Sequence, residues 1–161
     1  MSHIRKATNK DALLYFNWAN ETEVRKQSFN SQLITFTDHT TWFEKKLADK
    51  QCIMLIVEDE ANSPIGQIRF QQEEEDAYTI GISIDKVWRG KKMALEMLSL
   101  SANYFFNIYS AKKIYAFIKE DNIASISSFE KAGYINREIV FVKGYKSFRY
   151  TKENKNANSE F

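Results

Sequence analysis

Residues 80–98 read Ile80-Gly-Ile-Ser-Ile-Asp-Lys-Val-Trp-Arg-Gly-Lys-Lys-Met-Ala-Leu-Glu-Met-Leu98, and the fold is decided here. Ile80, Ile82 and Ile84 alternate with Gly81 and Ser83, the period of a strand with one apolar face. After Trp88 the pattern changes. Arg89, Gly90, Lys91 and Lys92 precede Met93, Ala94, Met97, Leu98, Ala102 and Phe105, which recur at helical spacing. The stretch predicts a strand, a short basic loop and a long apolar helix. A helix start offers unpaired N–H groups and the positive end of the helix dipole. Lysines oppose that dipole, so a helix built for stability alone would carry acids there. Residues 89–94 therefore predict an anion site, with phosphate as its natural occupant.

Working outward, residues 3–7 predict an edge strand, and Thr8 to Asp11 supply capping residues for a helix carrying Leu13, Phe16 and Trp18. Residues 21–36 lack a clean period and predict a polar, aromatic-bearing loop. Thr37 or Asp38 caps a second helix reaching Lys50, with Trp42, Phe43 and Leu47 as its apolar contacts. Residues 51–58, 65–71 and 78–84 predict three strands, joined at the only proline, Pro64, and at the acidic run 73–76. After the long helix, which ends near Tyr109, residues 113–118 form a short buried strand. Asp121 or Asn122 caps a helix over 123–132, closed by Gly133. A final hairpin turns at Lys143-Gly144, and residues 152–161 form a polar, disordered tail beyond a single domain of residues 1–151. Antiparallel hairpins followed by a strand-helix-strand unit mean a mixed sheet with helices on its faces.

Composition narrows the chemistry. The chain has 161 residues, 43% hydrophobic, which fits one packed domain. A net charge of +2 argues against general nucleic-acid binding. The single cysteine, Cys52, lies in an apolar run and excludes an internal disulfide and a multi-cysteine zinc site; no metal is expected. No apolar stretch approaches the ~20 residues of a membrane span and no signal region follows Met1, so a cytoplasmic protein without membrane partners is expected.

Residues 89–94 resemble the acetyl-CoA-binding motif of the GNAT superfamily of N-acetyltransferases, Gln/Arg-x-x-Gly-x-Gly/Ala. Arg89 matches its first position and Ala94 its last, whereas Lys92 stands where the family usually has glycine. Residues 122–134, Asn122-Ile-Ala-Ser-Ile-Ser-Ser-Phe-Glu-Lys-Ala-Gly-Tyr134, resemble the closing signature Asn-x-x-Ser/Ala-x-x-x-Tyr-x-Lys-x-Gly-Phe/Tyr through Asn122, Ser125, Lys131, Gly133 and Tyr134. The order of elements is also that of the GNAT fold, an α/β (α+β) arrangement. It implies a mixed, mostly antiparallel sheet of six to seven strands, splayed at its middle and flanked by about four helices.

The resemblance implies a cofactor, acetyl-CoA. The backbone at Ile82, Ser83 and Ile84 would pair with its pantetheine arm and Arg89, Gly90, Lys91, Lys92, Met93 and Ala94 would hold its pyrophosphate. Asn122, Ser125, Phe129 and Lys131 would line it from the later helix. It implies direct attack of an amine on the thioester, with a backbone N–H near residues 82–84 stabilising the developing oxyanion. Phe129 stands where many members have a tyrosine as general acid, so water, Ser128 or Tyr134 is left to deliver that proton. His39 is the one candidate base whose ordinary pKa lies near neutrality, with Glu74 and Glu75 as alternatives acting through water.

Residues 24–47 resemble the acceptor half of acetyltransferases in bacterial nucleotide-activated amino-sugar pathways, of the pseudaminic and legionaminic acid type, through Arg25, Ser28, Ile34, His39 and the Trp42-Phe43 pair. A nucleotide-sugar acceptor is therefore expected, held by Arg25, Ser28, Asn30, Trp42, Gln67, Arg69 and Tyr78. A protein N-terminal amine is the alternative acceptor, and a non-catalytic acyl-CoA-binding module the alternative class. A monomer or homodimer is expected.

Overall fold

The computed structural model describes residues 1–111 and 113–158. Its elements are β1 (His3–Lys6), α1 (Ala12–Ala19), α2 (Thr22–Gln27), α3 (Phe36–Ala48), β2 (Cys52–Glu58), β3 (Pro64–Glu74), β4 (Ala77–Ile84), α4 (Met93–Ile108), β5 (Lys113–Lys119), α5 (Ile123–Lys131), β6 (Ile135–Val142) and β7 (Tyr145–Glu153). The seven strands form one sheet in the order β1-β2-β3-β4-β5-β7-β6. Every neighbouring pair is antiparallel except β4 and β5, which run parallel.

Side-chain alternation assigns the faces. Ile80 is buried, and Ile82 and Ile84 pack with it against the core that contains Leu55, Ile68, Phe70, Met97, Leu98 and Phe105. That core joins the sheet to α4. On the opposite face, Tyr15, Trp18, Phe43, Met54 and Ile56 form a second cluster beneath α1 and α3, and Tyr15 donates a hydrogen bond to the Leu55 carbonyl at 2.8 Å. Each such buried aliphatic or aromatic side chain contributes about 1.5–3 kcal/mol by leaving water.

Three expectations need correction. Residues 21–36 hold α2, a six-residue helix with no buried residue, so no apolar period announced it. Helix α3 starts at Phe36 because Thr35 is the cap, accepting the Asp38 N–H at 3.2 Å. The chain beyond 151 is ordered further than the tail expectation allowed. Strand β7 runs to Glu153, Asn154 is buried, and Lys155–Asn158 forms a 3₁₀ turn. The rest of that expected tail, residues 159–161, lies outside the described residues.

Candidate active site

The parallel pair β4–β5 is joined at one end only. Its register is Ala77↔Lys113, Tyr78↔Ile114 and Thr79↔Tyr115, and no later residue of either strand pairs with the other. Residues 80–84 and 116–119 therefore diverge, while each strand stays paired on its outer side, to β3 and to β7. The result is a V in the middle of the sheet, walled by strand backbone that lacks its ladder partner. Unpaired backbone of this kind accepts an extended ligand as an added strand.

The loop leaving the wide end of β4 carries the predicted anion site. Asp85 caps a 3₁₀ turn at Lys86–Trp88, accepting the Val87 N–H at 3.0 Å, and its other oxygen accepts the Trp18 indole N–H at 2.8 Å. Gly90 and Lys92 both take left-handed backbone, at φ 73° and 62°. Lys92 is the residue immediately before α4 and its side chain is exposed, so it does not fill the groove. The left-handed φ at 92 explains the family's glycine there: an L side chain pays about 1–2 kcal/mol for that conformation. The Lys91 ammonium lies 5.2 Å from the centre of the Trp88 ring.

Arg89 differs from expectation. Its Nε donates to the Ile84 carbonyl at 3.1 Å and its Nη2 donates to the Glu21 carboxylate, so the guanidinium is committed to protein partners. Across the V, Asn122 caps α5 by accepting the Ser125 N–H at 3.3 Å. Phe129 is buried edge-on to Tyr134, with ring centres 4.9 Å apart. Lys131 is exposed.

A second surface lies on the face under α3, where the odd-numbered side chains of β4 point. The Arg69 guanidinium sits 5.2 Å from the centre of the Trp42 ring and 3.8 Å from where a Cβ on Gly81 would stand. Gln67 Nε2 donates to Ser83 Oγ at 3.1 Å, while Gln67 Oε1 and Thr79 Oγ1 are buried without a hydrogen-bond partner. The structure thus brings Trp42, Gln67 and Arg69 together, beside one wall of the V.

It separates others from them. Tyr78 packs on the opposite face, with its ring 4.9 Å from Phe105 and 6.5 Å from Tyr109, because even-numbered β4 side chains point at α4. Arg25 donates to the carbonyls of Ala19, Asn30 and Gln32 and to Ser28 Oγ, Ser28 Oγ donates to Val24, and Asn30 Oδ1 accepts the Gln32 N–H. These three residues brace the loop after α2. Glu74 and Glu75 are exposed at the β3–β4 turn, where β4 begins, at the closed end of the V.

The three catalytic candidates are also constrained. His39 is buried in a cage of Phe16, Trp42 and Phe43, and neither ring nitrogen has a partner. Burial, then the charge of Arg25, holds its pKa below the ordinary value. The Tyr134 hydroxyl is buried and unpartnered, with its pKa raised by burial. Ser128 Oγ donates to the Ala124 carbonyl at 3.0 Å. Cys52 is half-buried, and burial raises its thiol. Among the described residues no cluster of metal-ligating side chains occurs, and no helix is long and apolar enough to cross a membrane.

The acetyltransferase (GNAT) domain family matches residues 3–135. The chain belongs to the GNAT acetyltransferase family. A spermidine N-acetyltransferase from Vibrio cholerae, solved with CoA and spermine, has the same fold. It superposes with a TM-score of 0.85 over 94% of this chain and 95% of that one, at 19% identity. The aminoglycoside acetyltransferase AAC(6')-Ib, solved with coenzyme A, superposes with a TM-score of 0.83 over 98% and 96% of the two chains, at 18% identity. An uncharacterised protein of Methanocaldococcus jannaschii is 28% identical over 134 residues, 81% of this chain. This GNAT chain spans only 27% of that relative's length. Its cofactor is acetyl-CoA, the acetyl donor of GNAT acetyltransferases. The V, the left-handed loop backbone and the cations at 91 and 92 fit that group's extended arm and diphosphate.

Proposed function

We propose that this GNAT domain transfers the acetyl group of acetyl-CoA directly to a primary amine, and that the amine belongs to a nucleotide-linked amino sugar. The observation that carries the transfer is the V between β4 and β5, whose walls offer backbone N–H and C=O groups free of a ladder partner. The bound cofactor supplies an activated acetyl thioester. Residues 82–84 hold its arm by backbone hydrogen bonds and aim an N–H at the oxygen where charge develops; one such donor is worth roughly 10²–10³ in rate. The amides of residues 90–94, with Lys91 and Lys92, hold the diphosphate. Asn122, Ser125, Phe129 and Lys131 close the other wall.

No side chain is assigned as a positioned acid or base. His39 is buried in aromatic rings, Tyr134 is buried and Ser128 is engaged within its own helix. Water carries the protons instead. A thiol with a pKa near 8.5 leaves without much help, and an amine on a sugar ring is weakly basic because its oxygen-bearing neighbours withdraw electrons.

The acceptor assignment rests on the charge of the α3 face. Among the described residues Arg69 has no ion pair, and Trp42 gives it an aromatic platform. Gln67 Oε1 and Thr79 Oγ1, buried and without a hydrogen-bond partner, add polar capacity beneath that face. A cation without a carboxylate partner favours an acceptor bearing phosphate. It disfavours polycations such as the spermine and aminoglycosides named with the neighbouring structures. The test is thiol release from acetyl-CoA with UDP- and dTDP-linked amino sugars, spermidine, an aminoglycoside and N-terminal peptides. Turnover of the nucleotide sugars alone is expected. Turnover of spermidine or peptide alone would overturn the acceptor, and silence with every amine would favour a binding module.

A further inference from the structure

Helix α2, absent from the sequence's apolar pattern, touches both walls of the V. At its start Glu21 pairs with Arg89, whose Nε is bonded to the Ile84 carbonyl at the end of β4. At its end the Lys26 carbonyl accepts a hydrogen bond at 3.0 Å from Lys119 Nζ, the last residue of β5. Lys119 is buried, with its ammonium 3.8 Å from the centre of the Tyr145 ring. Six helical residues extend about 9 Å. The two anchors therefore fasten a short rigid rod to the diverging ends of β4 and β5, where neither strand holds the other.

We propose that α2 is a strap that sets the width of the cofactor groove, and that Glu21 and Lys119 are positioning residues for acetyl-CoA. Neither touches the cofactor in this arrangement. Glu21 acts through Arg89 on the loop that presents the amides of residues 90–94, and Lys119 fixes the opposite wall. The second link from the same corner, Trp18 to Asp85, steadies the loop's first turn but leaves its end to the Glu21–Arg89 pair. Arg89 thus serves the loop rather than the diphosphate. In this chain the basic residue at 89 answers the acidic one at 21.

The proposal rests on the cofactor assignment, and one titration separates the two. Affinity for CoA is measured by calorimetry for the wild type, Glu21→Gln, Arg89→Glu, Lys119→Met and the exchanged pair Glu21→Arg/Arg89→Glu. Melting temperature without ligand is followed in parallel. Glu21→Gln and Lys119→Met are expected to weaken CoA binding about fivefold each, the scale of one partly exposed ion pair or one hydrogen bond. Their ligand-free melting temperatures should stay close to the wild type's. Arg89→Glu alone is expected to weaken binding more, and the exchanged pair to recover most of that loss through the restored ion pair, short of wild type because a carboxylate at 89 cannot donate to the Ile84 carbonyl. If Arg89 instead binds phosphate directly, the exchanged pair stays as weak as Arg89→Glu, and the strap is refuted. Unchanged affinity in both Glu21→Gln and Lys119→Met refutes it equally. A wild type that does not bind CoA removes the cofactor assignment and the strap together.

Discussion

Arg69 lies over Trp42, its guanidinium carbon 5.2 Å from the ring centre, and among the described residues no acid pairs with it. A charged group held by an aromatic face alone keeps its hydrogen-bond donors for a ligand. Trp42 holds the guanidinium in place; Arg69 recognises. Arg69→Gln is expected to raise KM for a phosphate-bearing acceptor at least tenfold, with KM for acetyl-CoA unchanged. Trp42→Leu should raise the same KM by a smaller factor, about threefold, because cation–π contact at such a site is worth roughly 0.5–1 kcal/mol. Steady-state kinetics with each substrate varied in turn measures both. A change confined to acetyl-CoA would move Arg69 out of the acceptor site.

Gly81 stands next to that guanidinium, and a Cβ there would meet Arg69 Nη2 at 3.8 Å, an ordinary contact. Gly81→Ala should therefore fold and bind CoA as the wild type does. Gly81→Val adds branches that press on Arg69 and should repeat the acceptor defect of Arg69→Gln. Loss of CoA affinity in Gly81→Ala would mean that the residue contacts the cofactor instead.

Lys92 carries its side chain at φ 62°. Lys92→Gly removes the strain but frees the unfolded chain, and the two effects nearly cancel, leaving a net gain between zero and about 1 kcal/mol. Lys92→Val puts a branched side chain into the left-handed region and should cost more than about 1 kcal/mol. Urea unfolding of the two variants decides. Equal stability of glycine and valine at 92 would contradict the backbone assignment.

His39 is buried with its pKa depressed, first by loss of water and then by the charge of Arg25. The unfolded chain binds that proton more readily than the folded one. Stability is then fully present above the unfolded pKa of about 6.5 and declines as pH falls below it towards the lower folded value. In His39→Phe this part of the decline should vanish, and acetyl transfer at neutral pH should survive. A variant that keeps the wild-type acid slope has another titrating group behind it. A fall of 10² or more in kcat would make His39 the base after all.

Much of this was legible in the chain. The alternation of Ile80, Ile82 and Ile84 and the helical period from Met93 to Phe105 are properties of burial, and burial leaves its mark in sequence. Other features follow from tertiary context. Helix α2 buries none of its residues and is held by Glu21 and by the Lys26 carbonyl, so its stabilising contacts have no local signature. Strand parity decides Tyr78: it shares the even face with Ile80 and cannot join Arg69 on the other. Arg25 and Arg89 read as ligands because one falls in the stretch resembling an acceptor half and the other matches the first position of the cofactor motif. Both are instead occupied by carbonyls or a carboxylate, and sequence alone does not say which cations are already paired.

The central claim is that the backbone freed by the parting of β4 from β5 is where the cofactor binds. Amide hydrogen exchange on the full chain, with and without acetyl-CoA, addresses it residue by residue. Slowed exchange is expected at the amides within residues 80–84 that β3 leaves unpaired and at residues 90–94, with little change at the β6–β7 hairpin. Binding of acetyl-CoA that leaves the exchange of residues 80–84 untouched would contradict the account.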